Sequence, residues 1–290
     1  MSTRAPGNAP RVEPPEETVG LLPDNYPRSA LALTALRHPL SIPRFLSSRL
    51  AYRSNLRHSR GIAGVRLEPP DEFFRSLTGG KELSSFPVQT PVLEGLVMTF
   101  RRIGEEYSRR WNSPLAQGSS ALDLNDARVL YALVRARTPR TVIETGVSDG
   151  FSSLVILEAL EENGGGTLHS IDLPEIGAPS LIGRAPGWVV PERLRPRWRL
   201  HLGPSRRVLP KLLREIPRPE MFLHDSEHSY TNMRFEFSSV LPRLGASGLL
   251  LSDDARSNDA LIEAAQEHGG RASFCEGRLG GIARGSAAVG

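Results

Sequence analysis

Val142 to Ser152 reads VIETGVSDGFS, a short apolar strand running into a glycine-punctuated turn that opens a helix. Glu144, Gly146 and Gly150 set a Glu-x-Gly-x-x-x-Gly spacing. After a parallel strand, such a turn uses glycine where the backbone reverses, and again where a ligand comes close to the main chain. An acidic residue just before the turn suits a ligand carrying positive charge better than a polyphosphate. The third glycine of the dinucleotide fingerprint Gly-x-Gly-x-x-Gly is missing, since Val147, Ser148 and Asp149 fill the interval.

Strands and helices alternate outward from this turn. Strands are expected at about 140–145, 167–172, 198–202, 220–224 and 248–252, and a closing hairpin at 271–275 and 279–284. Asp123 or Asn125 caps a helix that runs to Arg137 and stops at Pro139. This alternation predicts right-handed βαβ units and an open, mainly parallel sheet.

Three parts are expected: a Pro-rich, acidic tail at 1–28, a helical extension at 29–120 and the α/β domain at 121–290. The tail buries too little to offset its ordering entropy. Between Ser29 and Arg57, apolar residues recur at helical spacing among arginines, interrupted by Pro39 and Pro43, which reads as two short amphipathic helices. A longer helix is expected over Pro91–Arg110. From Asp24 to Glu68 there is no acid between, but eight arginines: a solvated face, an oligomer or lid surface, or a dock for an anionic partner.

The 290 residues carry 36 Lys and Arg against 32 Asp and Glu, a net charge of +4 that is too small for a nucleic-acid binder. One cysteine, Cys275, leaves no internal disulfide and suits a reducing cytoplasm. No apolar run reaches the length of a membrane span.

In doubly wound sheets, ligands bind beyond the carboxyl ends of the strands. Those positions are acidic here. Asp172 ends LHSID, placed for ribose hydroxyls, although a helix cap or a NAD site would also use an acid there. Asp225 follows MFLH, and Asp253 and Asp254 follow LLLS, so three carboxylates reach neighbouring strand tips. Either they share a cation such as Mg²⁺ or some of them cap the helices that follow. His228, three residues past Asp225, is the candidate general base, with His224 and Glu227 as competitors.

Residues 122–284 resemble class I S-adenosylmethionine-dependent O-methyltransferases, close to the metal-dependent catechol type and to bacterial methyltransferases that modify sugars and natural products. The resemblance rests on ETGVSDGFS, SID, LGPSRRVLPKL, HDSEH and SDD in order. It implies a Rossmann-like fold with a seven-stranded sheet and an antiparallel last strand. It places Glu144, Gly146, Gly150 and Ser152 around the methionine of the cofactor, Asp172 at its ribose and Ser205 near its adenine. It makes Asp225, Asp253 and Asp254 metal ligands. Histidine at 228, where the catechol type often has lysine, leans toward an alcohol or sugar hydroxyl on a small-molecule acceptor. The rival readings are a NAD-dependent oxidoreductase and a non-catalytic S-adenosylmethionine-binding accessory protein.

Overall fold

The computed structural model describes residues 53–111, 122–173 and 184–284. The expected tail at 1–28, most of the Arg-rich helical segment, and the loop at 112–120 lie outside the described residues.

The elements in chain order are α1 (Pro70–Thr78), α2 (Thr90–Trp111), α3 (Leu124–Arg137), β1 (Thr141–Thr145), α4 (Phe151–Glu162), β2 (Thr167–Asp172), β3 (Trp198–Leu202), α5 (Ser205–Glu215), β4 (Met221–His224), α6 (Tyr230–Val240), β5 (Leu249–Ser252), α7 (Ala260–Glu267), β6 (Ser273–Phe274) and β7 (Gly280–Ala283). The seven strands form one sheet in the order β3-β2-β1-β4-β5-β7-β6. β1 to β5 are parallel, and β7 runs antiparallel to β5 and β6. This is the Rossmann-like arrangement expected from the sequence, with a closing hairpin shorter than its hydrophobic pattern suggests.

Alternation along each strand builds two cores. Val142, Leu168, Leu223, Leu249 and Leu251 face α3 and α4, while Ile143, Ile171, Phe222 and Leu250 face α5, α6 and α7. Asp123 caps α3 by accepting from the N–H groups of Asn125 and Asp126, at 2.8 and 2.9 Å. Strand register brings Thr145, His224 and Ser252 level with one another. The ladder continues one step further: Asp225 N–H donates to the Thr145 carbonyl and Asp253 N–H to the His224 carbonyl, each at 2.8 Å. The backbone thereby fixes both acids at adjacent tips.

Helix α1 is absent from the sequence reading, although its signals are present. Pro70 starts it, Asp71 and Glu72 occupy its first turn, and Gly79 ends it at φ 71°. It buries Phe73, Phe74 and Leu77 in the same core as Val142, and α2 adds Leu96 and Ile103. Glu68 pairs with the β6 edge, its N–H donating to the Phe274 carbonyl at 2.7 Å. We predict that Phe73→Ala lowers the stability of the whole unit by about 3–5 kcal/mol, as for a fully buried phenylalanine. Chemical denaturation followed by tryptophan fluorescence checks this; a loss below about 1 kcal/mol would mean that α1 is dispensable to the core.

Candidate active site

The glycine turn after β1 and the acids after β4 and β5 are contiguous. A Cβ at Gly146, which has φ 87°, would lie 1.9 Å from the Asp225 carbonyl oxygen. A Cβ at Gly150, with φ 94°, would lie 2.5 Å from Gly187 Cα. Both positions require glycine because protein main chain fills the space, a cause different from the ligand approach inferred from sequence.

Asp172 holds the turn from the neighbouring strand. Its Oδ1 accepts from Val147 N–H at 3.0 Å, and its buried Oδ2 has no partner among the described residues. Burial raises its pKa above the usual carboxylate range, against the backbone N–H groups of Val147, Ser148 and Leu173. Glu144 sits deeper, with no exposure: its Oε2 accepts from Ser153 and Ser170, both at 2.6 Å, and Trp198 Nε1 donates to Ser170 Oγ at 2.9 Å. This network ties β1, β2, β3 and α4 together behind the turn. Ser152 is also buried on the first turn of α4, whose N-terminus has no side-chain cap. Ser205 opens α5 at the β3 tip, its Oγ 3.5 Å from Asn232 Oδ1.

Trp188 braces the other side of the turn. Its Nε1 donates to Asp149 Oδ1 at 2.5 Å, and its ring lies between the guanidinium groups of Arg102 and Arg184, at 4.4 and 4.1 Å. Helix α2 thus reaches the glycine turn through Arg102.

At the neighbouring tips, Asp225, His228 and Asp253 each offer a ligand atom within 4.8 Å of the others. Asp253 has no exposure; its Oδ2 accepts from Arg278 Nη2 at 2.5 Å, and its Oδ1 is buried without a partner among the described residues. Burial, reinforced by Asp254, pushes the Asp253 pKa up to about 7 despite Arg278. Asp225 is raised well above the carboxylate range by burial and then by Asp253. Burial depresses His228 to about 4, so the imidazole is neutral at pH 7.

Asp254 departs from the expected ligand set. It takes a left-handed conformation at φ 43°, and its Oδ1 accepts from Arg278 Nε at 2.8 Å. Its Oδ2 lies 3.7 Å from His228 Nε2. Burial opposes its ionisation, but His228 and Arg278 outweigh it and hold the carboxyl below its ordinary range. Asp254 lies outside the Asp225, His228 and Asp253 grouping and joins Arg278 to the imidazole.

Arg278 is the residue that sequence reasoning misses. It lies in the β6–β7 connection, and its N–H donates to Asp126 Oδ2 at 2.7 Å. A Cβ on neighbouring Gly277 would lie 2.1 Å from Asp126 Oδ1, so glycine lets α3 seat this connection against the acids. Its only sequence signal is a glycine before an arginine in a turn. The competitors of His228 separate clearly: His224 is buried and bonds Glu236 Oε2 through Nδ1 at 2.7 Å, while Glu227 is exposed and accepts from Ser229 Oγ at 2.8 Å.

The donor set fits a divalent cation. Burial first, and the neighbouring carboxyls second, raise both the Asp225 and Asp253 pKa values, and Asp253 Oδ1 is a buried acceptor with no partner among the described residues. Two carboxylates with an imidazole suit Mn²⁺ or a similar ion as well as Mg²⁺.

Residues 143–255, which contain the turn and every acid of the cluster, match a family model described as a methyltransferase domain. The fold of the chain is similar to a methyltransferase from Podospora anserina solved with S-adenosylhomocysteine, at 15% identity over 58% of this chain, with a TM-score of 0.41. The chain spans 63% of that protein, less than two thirds of its length. It is also similar to TomG, a Streptomyces achromogenes O-methyltransferase of tomaymycin synthesis in complex with S-adenosylmethionine, at 17% identity, covering 70% of this chain and 93% of that one, with a TM-score of 0.47. A Bacillus cereus O-methyltransferase in complex with S-adenosylhomocysteine gives 12% identity, 70% and 100% coverage, and a TM-score of 0.45. No curated protein matches the chain. The matched residues end before Arg278, so the guanidinium of the cluster comes from outside them. No helix among the described residues is long and apolar enough to cross a membrane.

Proposed function

We propose that the protein transfers a methyl group from S-adenosylmethionine to a hydroxyl of a small acceptor, a sugar or natural product, with help from a divalent cation. The observation that carries this reading is the contact between the glycine turn and the acid cluster. Because Gly146 abuts Asp225, a cofactor lying along the turn has its reactive end beside Asp225, His228 and Asp253.

In this reading the unpartnered Asp172 Oδ2 accepts from a ribose hydroxyl. The first turn of α4, which has no side-chain cap, receives the cofactor carboxylate together with Ser152. Ser205 stands at the β3 tip on the adenine side. Glu144 shapes the turn from behind rather than touching the cofactor. Asp225 and Asp253 would hold the cation, with His228 beside them and Asp254 outside the set; the cation would supply positive charge that lowers the acceptor hydroxyl pKa. His228, neutral at pH 7, takes up the proton, and Asp254 stabilises the imidazolium that results. Arg278 bonds both Asp253 and Asp254 and offsets their mutual repulsion without closing the Asp253 Oδ1 side.

The test is transfer of labelled methyl from S-adenosylmethionine to a panel of hydroxylated sugars and aromatic alcohols, with Mg²⁺ or Mn²⁺ and with EDTA. Label is expected in a hydroxylated acceptor, lost with EDTA and restored by metal. Full transfer in EDTA would remove the cation from the account and return the aspartates to capping and hydrogen-bonding roles.

A further inference from the structure

The chain segment just before α1 docks on the two loops that carry the acid cluster. Asn55, 3% exposed, makes two hydrogen bonds across 173 and 175 residues of sequence: its Nδ2 donates to the His228 carbonyl at 3.0 Å, and Tyr230 N–H donates to its Oδ1 at 2.7 Å. Nearby, the His58 ring stacks on Tyr230 with centroids 3.7 Å apart and planes 7° from parallel. The same segment reaches the loop after β5, where Asp259 N–H donates to the His58 carbonyl at 2.6 Å and Ile62 N–H to Asp259 Oδ1 at 2.7 Å.

We propose that Asn55 is a positioning residue of the active site, holding the backbone on both sides of Ser229 so that the His228 imidazole faces Asp225 and Asp253. The proposal rests on the methyl-transfer reading only for the chemistry that His228 serves; the positioning itself is a matter of geometry. A carbonyl at 228 needs a donor and an N–H at 230 needs an acceptor, so a short side-chain amide satisfies both at once. Aspartate has the same shape and lacks the donor, which would set a carboxylate oxygen against the His228 carbonyl. Asn258 donates to the same carbonyl at 3.1 Å, so the loop keeps one anchor when Asn55 is changed, and the fold survives the test. Ser229 caps α6 independently, accepting from Asn232 N–H at 3.3 Å.

The experiment uses the full chain carrying Asn55→Asp or Asn55→Ala, with Leu56→Ser, an exposed neighbour, as control. Four readouts are taken: calorimetric affinity for S-adenosylhomocysteine, calorimetric affinity for Mn²⁺, amide exchange at Tyr230, and the ¹⁵N shifts of the His228 ring. Both Asn55 variants are expected to bind S-adenosylhomocysteine within about twofold of wild type. They should lose about tenfold in Mn²⁺ affinity and exchange the Tyr230 amide about tenfold faster, the scale of leaving a buried group unsatisfied. The His228 ring shifts should move in both variants and stay in place in Leu56→Ser. Should wild type bind no Mn²⁺, the cation part of the proposed function fails, and the ring shifts with Tyr230 exchange still decide the positioning claim. Unmoved His228 shifts and unchanged Tyr230 exchange in folded Asn55→Asp would overturn it.

Discussion

Replacing His228 with alanine is expected to lower kcat by about 10²–10⁴-fold, the range for loss of a general base, while S-adenosylhomocysteine affinity stays within about twofold. The separation follows from the geometry. His228 sits beside Asp254 and the cluster, whereas Asp172 and the first turn of α4 lie along the glycine turn, where the proposal puts the cofactor. Because burial holds the His228 pKa at about 4, the ring is neutral through the physiological range, and protonation switches it off only in acid. Single-turnover methyl transfer by wild type and His228→Ala measures the effect; equal rates would remove His228 from the chemistry.

If a divalent cation assists the reaction as proposed, Asp225→Asn and Asp253→Asn should each cost on the order of 100-fold or more in kcat, because each would remove an anionic donor from it. Loss of fold is a poor explanation for Asp253. A raised native pKa means that the contribution of this carboxyl to stability is present below the ordinary carboxylate range and lost as pH rises through about 7. Asparagine carries no charge to bury, and Arg278 keeps Asp254, so Asp253→Asn should melt at or above the wild-type temperature at neutral pH. The same raised pKa sets a pH dependence for the cation. Binding must displace the Asp253 proton below about pH 7 and the proton of the raised Asp225 as well, so affinity should fall at least about tenfold per pH unit on the acid side. Mn²⁺ titrations between pH 5.5 and 8.5 read this directly, and a flat profile would show that Asp253 is not a ligand.

The sheet is legible in the sequence because β-branched and leucine-rich runs end at acids or glycines. Strand limits at Thr145, Asp172, Leu202, His224 and Ser252 all fall where the pattern breaks. Proximity of Asp225 to Asp253 is legible for the same reason, since parallel neighbours in register bring their tips together. The orientation of side chains beyond those tips is not. Asp254 follows Asp253 in the chain, yet its left-handed backbone turns the carboxylate to Arg278, a residue 24 positions later in the closing hairpin. Nothing in local spacing marks that pairing. Asn55 is hidden in the same way, because its partners are main-chain atoms far along the chain. The two glycines were recognisable as obligatory, but the reason lies in Asp225 and Gly187 packed against them. Helix α1 carries Pro70 and Gly79 as plain boundary signals, and its short amphipathic run is overshadowed by the Arg-rich stretch before it.

The central claim is that the turn beside Asp172 binds S-adenosylmethionine rather than a nicotinamide dinucleotide. Calorimetric titration of the full chain with S-adenosylhomocysteine, run beside NAD, tests it most directly. The account predicts micromolar binding of S-adenosylhomocysteine and no heat with NAD. Binding of NAD with no heat from S-adenosylhomocysteine would contradict it.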